Sequence, residues 1–193
     1  PENVVRRNGA HVNDILCVSG DLGAAYMGLQ VLEREKKVFQ ENPKMQPQLD
    51  DYEYLVKRAL KPVARTDIIH ELGDLGIVPT SMIDISDGLA SEIIHLSKHS
   101  GVGFNVHDEQ IPIDKLTYDT AVEFDLDPVT CAMNGGDDYE LLFTIASSDY
   151  DKLKNHRDIH FIGYAQEGES NNIITEKGNA VSIKAQGWSH FTG

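Results

Sequence analysis

A chain of 193 residues, 40% hydrophobic and 25% charged, is long enough to bury one real core and too apolar for an extended disordered polymer. Its 31 acidic and 17 basic side chains leave a formal net charge of −14, which repels polyphosphate backbones such as DNA, and the short basic runs Arg6-Arg7 and Arg34 to Lys37 supply no compensating patch. Only Cys17 and Cys131 occur, each in an apolar strand-like run, which argues against a disulfide framework or a cysteine-built zinc site, and no apolar stretch approaches the length of a membrane span.

These properties lead to the expectation of a cytoplasmic protein with neither nucleic-acid nor membrane partners. An acidic protein that handles anionic nucleotides needs divalent metal as a bridge, so the charge balance favours a metal-assisted site.

The opening run, Pro1 to Arg7, is polar and lacks an initiating methionine, so the sequence reads as the interior of something longer. Ile15 to Ser19 suits a buried strand, Gly20-Asp21-Leu22-Gly23 turns the chain out of it, and Leu22, Ala25, Leu29 and Leu32 fall near one face of a following helix. From Gln40 to Asp51 the prolines and amides break every period, which predicts a polar surface insertion. Short helices are expected over Tyr52 to Ala59 and Thr66 to Leu72. Ser81 to Ile85 reads as a strand leading into a helix from about Gly88 to His99, stopped by Ser100-Gly101 with glycine as a left-handed cap.

Beyond that point Val102 to Val106 predicts a strand and Thr117 to Phe124 a helix that ends before Leu126-Asp127-Pro128. After a Gly135-Gly136 turn, Tyr139 to Ile145 is strand-like, and Ser148 to Leu153 looks helical with Ser147 or Ser148 as its cap. Ile159 to Ala165, Ile173-Ile174 and Val181 to Ile183 complete the set. Strands interleaved with modest helices, and crowded toward the end, predict an α+β fold with a mixed β-sheet covered by helices.

Asp84 and Asp87 flank Ser86 where a strand gives way to a helix, a place where free backbone amides favour phosphate and paired carboxylates offer hard oxygen ligands. By spacing alone the same residues suit a plain helix cap beside a solvated strand end. Asn134-Gly135-Gly136-Asp137-Asp138-Tyr139-Glu140 joins a flexible turn to acids that would receive donor groups of a ligand, and it equally suits a solvated hairpin turn. Ser19 to Ala25 carries glycines without the Lys-Ser/Thr ending of a P-loop, and His95 and His99 have zinc-like spacing with no third ligand. Trp188, the only tryptophan, either docks on the core or stacks on a ligand.

Taken together, Val18 to Ala25, Met82 to Leu89, Asn134 to Phe143 and Gly187 to Phe191, in that order and separation, resemble the thiamine-monophosphate kinase family. The resemblance runs from about Arg7 to Phe191, interrupted near Gln40 to Asp51. It implies transfer of the ATP γ-phosphate to thiamine monophosphate, giving thiamine diphosphate, by direct in-line attack with several magnesium ions. A fold similar to the carboxyl-terminal domain of aminoimidazole ribonucleotide synthetase and a homodimer when full length follow from it as well.

Carried over by position, Asp84 and Asp87 would ligate magnesium, Ser86 and Arg7 would contact ATP, and Asp137 and Trp188 would meet the substrate. Asp137 stands where the family has glutamate, one methylene shorter in reach. No residue is assigned a catalytic proton transfer. The family's amino-terminal metal motifs are not in this sequence. The expected organisation is therefore residues 1–40 leading from a missing ATP- and metal-binding domain, the 41–51 insertion, and the rest of the domain over 52–193, inactive alone. The competing expectations are another ATP-using enzyme of the same superfamily and a non-catalytic folding or association module.

Overall fold

A computed structural model describes residues 4–184, so the expected docking or stacking of Trp188 lies outside the described residues. Seven strands form one sheet: β1 (Ile15–Ser19), β2 (Ser81–Asp84), β3 (Gly103–His107), β4 (Leu141–Ile145), β5 (Ile159–Gln166), β6 (Asn172–Ile174) and β7 (Ala180–Ser182). Their order is β2-β4-β1-β5-β3-β6-β7, antiparallel throughout except for the parallel β3-β6 pair. The fold is thus a mixed sheet covered by helices. These helices are α1 (Ala24–Glu41), α2 (Glu53–Leu60), α3 (Thr66–Asp74), α4 (Leu89–Ser100), α5 (Lys115–Glu123), α6 (Pro128–Asn134) and α7 (Tyr150–Leu153).

β1 runs through the middle of the sheet with both faces covered, which is why its sequence is continuously apolar instead of alternating. Leu16 and Val18 join Ile83, Leu142 and Phe104 under Leu89, Ile93 and Leu96 of α4. Cys17 points the other way, with Phe143, Ile145 and Ile159, under Ile68 and Leu72 of α3. Each fully buried side chain of this size contributes about 1.5–3 kcal/mol of transfer free energy. A third cluster joins Ala24 and Met27 of α1 to Leu55 of α2 and Ala121 of α5.

α4 ends as its sequence predicts, with Gly101 at φ 70° in the left-handed region. Two expectations fail. Cys131 lies in α6, not in a strand: Asp127 accepts from the Thr130 amide and Pro128 occupies the first helical position, so the Asp-Pro pair starts a helix as well as following the end of one. Neither Ser147 nor Ser148 caps α7, because residues 147–149 form a 3-10 turn that leads into it without a side-chain cap bond. α1 extends to Glu41, and after it residues 42–48 run exposed through turns, with the Gln48 amide donating to Glu35 at 2.9 Å.

Candidate functional site

The site begins where β2 stops. Asp84 and Asp87 are exposed, Ser86 is half-buried, and Ile85 between them is a plug in the core. The chain then turns through Gly88 at φ 103°, where a Cβ would come within 2.9 Å of the Met133 carbonyl oxygen. Only glycine meets both conditions. Gly88 is itself the N-cap of α4, and no side chain caps it there. Instead Glu92, buried one turn into the helix, reaches back: its Oε1 accepts from the Asp87 amide at 3.2 Å and from Ser86 Oγ at 3.4 Å. The plain-cap alternative for Ser86 and Asp87 is therefore overturned, and the two aspartates keep their carboxylates free of that task.

A second loop, 134–140, is laid against the first. The Asp137 amide donates to Ser86 O, the Tyr139 amide to Ile85 O and the Ile85 amide to Glu140 O, each at 2.8 Å. Gly136, at φ 71°, presses so close that a Cβ would lie 2.8 Å from Ser86 O. This is a docked loop and not the solvated hairpin turn that its composition also suited. The Tyr139 hydroxyl donates to Asp137 Oδ1 at 3.3 Å, and its acidity is suppressed first by the charge of Asp137 and more weakly by those of Asp84 and Asp87. Of the carboxylates expected from sequence, Asp137 is thus in contact with this phenol.

Ser86, Asp87 and Asp137 open onto a cleft of about 580 Å³ whose far wall includes Tyr26 and Glu33 of α1 and Asp127 at the start of α6. Among the described residues no lysine or arginine lines it. A cationic ligand is favoured there directly, whereas a phosphate needs divalent cations to offset the carboxylates. The donors are of the hard-oxygen type that magnesium takes, but among the described residues no three His, Cys, Asp or Glu side chains converge into a chelating group.

Arg7 is not brought into the cleft. It is exposed in a segment alongside β2, where the Met82 amide donates to Arg6 O at 2.9 Å and Ser100 Oγ donates to Arg7 O at 3.4 Å. His95 and His99 form no metal site either: a ring nitrogen of His99 lies 2.7 Å from the His95 carbonyl oxygen, and no metal-binding group of side chains occurs among the described residues.

Sequence reasoning missed the buried half of the site. Glu140, 1% exposed, accepts from Ser19 Oγ at 2.5 Å, Arg58 Nη1 at 2.7 Å and Arg65 Nη1 at 2.6 Å. Asp138, 3% exposed, accepts from the Gly23 amide at 2.9 Å and the Ala25 amide at 3.5 Å, and Arg58 lies 3.8 Å away. Burial pushes the Asp138 carboxyl up to about 7, against the opposing pull of those amides and Arg58. On the outer side of these arginines lies a second cleft of about 460 Å³, lined by Lys57, Arg58, Lys61 and Arg65 above Asp21 and Glu140. Tyr54 donates to Asp21 Oδ2 at 2.5 Å there, while Asp21 Oδ1 is buried with no partner among the described residues. No signal in the sequence marked them: Asp137-Asp138-Tyr139-Glu140 carries no alternation of polar and apolar residues, and Asp138 and Glu140 turn inward because of the loop's left-handed residues Asp137 and Tyr139.

No protein-family model matches the chain. The thiamine-monophosphate kinase of Buchnera aphidicola subsp. Schizaphis graminum is 33% identical to it, over 98% of this chain and 56% of that protein. The thiamine-monophosphate kinase of Aquifex aeolicus is 30% identical over 98% and 56% respectively. A solved structure described as AaThiL complexed with AMPPCP and TMP superposes with a TM-score of 0.76 at 30% identity, covering 97% of this chain and 54% of that one. The chain spans about half the length of the curated relatives it matches.

Proposed function

The chain is homologous to the thiamine-monophosphate kinases along nearly its whole length, and on that premise we propose that the protein it belongs to phosphorylates thiamine monophosphate with ATP. The observation that carries this reading is the pair of interlocked loops, which sets Ser86, Asp87 and Asp137 on the wall of an acid-lined cleft. In the reaction a terminal phosphate oxygen of thiamine monophosphate attacks the ATP γ-phosphorus. The β–γ bridging P–O bond breaks, and ADP and thiamine diphosphate leave with no covalent enzyme intermediate. Such transfer depends chiefly on positioning and charge neutralisation.

Asp84 and Asp87 would hold magnesium, which supplies the charge neutralisation that an acidic cleft cannot give a polyphosphate. Ser86 would contact ATP; for Arg7, which lies outside the acid-lined cleft, a contact with a nucleotide phosphate has only the family resemblance in its support. Asp137 would meet the substrate, in part through water because of its short reach, and Trp188 would stack on the thiazolium ring. The acid-lined cleft suits that ring's positive charge. The remaining ligands would come from a domain preceding residues 1–40, so this chain alone would not turn over. The protein would act in the cytoplasm as a homodimer. Among the described residues no helix is long and apolar enough to cross a membrane.

The test is a product assay on the full-length protein with MgATP and either thiamine monophosphate or the acceptors of related ATP-using synthetases. Thiamine diphosphate is the expected product. Phosphorylation of another acceptor with none of thiamine monophosphate would overturn the reading, and light scattering on the same sample reads the dimer.

A further inference from the structure

Residues 137–140 alternate in a way that their role in binding does not require. Asp137 and Tyr139 are exposed and both hold positive φ, 59° and 53°, although neither is glycine. Asp138 and Glu140, between and after them, are buried. For non-glycine residues the left-handed region costs on the order of 1 kcal/mol or more each, so two such residues in a loop persist only when their neighbours over-determine the conformation.

The over-determination is visible residue by residue. Asp138 is fastened to the Gly23 and Ala25 amides at the start of α1. Glu140 is held by Ser19 at the end of β1 and by Arg58 and Arg65 from opposite ends of the α2 to α3 connection. Arg58 serves both anchors, since its Nη2 donates to the Asp138 carbonyl at 3.3 Å and to the Asp21 carbonyl at 3.0 Å while Nη1 holds Glu140. The outward pair is tied in turn, with the Tyr139 hydroxyl donating to Asp137 Oδ1 and both amides donating to the 84–88 corner.

We infer that Arg58 and Tyr139 are positioning residues: Arg58 clamps the two buried acids so that the strained loop presents Asp137 to the cleft, and Tyr139 orients the Asp137 carboxylate there. Neither side chain needs to touch the reacting atoms. Arg58 acts from behind the loop, and Lys cannot replace it, because three separate acceptors require the guanidinium fork. This inference rests on the proposed role of Asp137 at the substrate.

The experiment uses the full-length protein with Arg58→Lys and Tyr139→Phe, with Ser19→Ala as the substitute clamp variant should Arg58→Lys fail to fold. Two readouts are taken on variants that keep the parental Tm to within a few degrees. Amide hydrogen exchange at Asp137 and Tyr139 is expected to accelerate about tenfold or more in the clamp variant, with no matching change in β1 or β4. KM for thiamine monophosphate is expected to rise about tenfold in the clamp variant and about threefold in Tyr139→Phe, with kcat and the KM for ATP altered less than that. Parental exchange at both amides together with parental KM values would overturn the inference, as would losses that only follow the folded fraction. Should the parent protein not phosphorylate thiamine monophosphate at all, the proposed function falls, and the exchange measurement still decides whether Arg58 clamps the loop.

Discussion

The exposed pair Asp84 and Asp87 and the buried pair Asp138 and Glu140 are the same chemistry put to opposite uses a few residues apart in space. The first pair makes no hydrogen bond through its carboxylates among the described residues, so its oxygens are available to a ligand. The second pair is consumed by the protein, every carboxylate oxygen having a donor from Ser19, an arginine or the start of α1. A carboxylate can bind something new only where the fold has left it solvated. Where it is buried, it decides the shape of the loop that carries its neighbours.

Breaking that contrast should give its largest effect at Glu140. Glu140→Gln leaves Arg58 and Arg65 facing a neutral amide and is expected to cost roughly 3–5 kcal/mol of unfolding free energy, read by urea titration at pH 7. Asp138→Asn should be sharper as a function of pH. The folded carboxyl binds its proton up to about pH 7 while the unfolded one releases it near pH 4, so this group's contribution to stability is full in acid and is lost as pH rises through 7. The Asn variant lacks that slope and should gain on the parent by on the order of 2–4 kcal/mol between pH 4 and pH 7.

At the solvated pair the sign of the comparison reverses. Asp84→Asn or Asp87→Asn is expected to leave stability within about 0.5 kcal/mol, while magnesium-ATP binding to the full-length protein, followed by calorimetry, weakens about 10- to 100-fold, roughly 1.4–2.7 kcal/mol. A stability loss as large as that of Glu140→Gln would erase the distinction between the pairs. Ser86→Ala should be the mildest, weakening nucleotide binding by about threefold to tenfold, since it removes one neutral hydroxyl contact.

The turn that carries the exposed half of the site was legible in the sequence because strand, acid and glycine follow one another within five residues, whereas the ligand roles came from the family resemblance alone, since the same spacing also suits a plain helix cap. Asp84, Ser86, Asp87 and Gly88 stand where that reading put them, at the end of β2 and the start of α4. Glu92 was not legible as the residue that reaches back, since nothing local distinguishes it from any other helical glutamate. Arg58 and Arg65 were hidden for a different reason. Their partner Glu140 lies 82 and 75 residues away in the sequence, and only the sheet brings them together. α6 was missed because Asp-Pro both ends one helix and begins another, and the deciding evidence is a hydrogen bond from Thr130 back to Asp127. The secondary-structure elements themselves came from local periodicity, which explains why most strands were visible while the strand order was not.

That strand order also governs when the molecule can come into being. β1, first of the seven in the chain, lies between β4 and β5, pairing Ile15 with Ile145 and Tyr164. During synthesis, at roughly 5–20 residues per second, β1 waits on the order of ten seconds for its neighbours to emerge. Its apolar run must stay shielded from other chains over that interval, for loop closure on this scale precedes any reward from pairing. The same central strand that makes the finished sheet continuous makes the nascent chain slow to close and vulnerable to aggregation, and a chain cut short before Ile159 has nothing to complete β1's second edge.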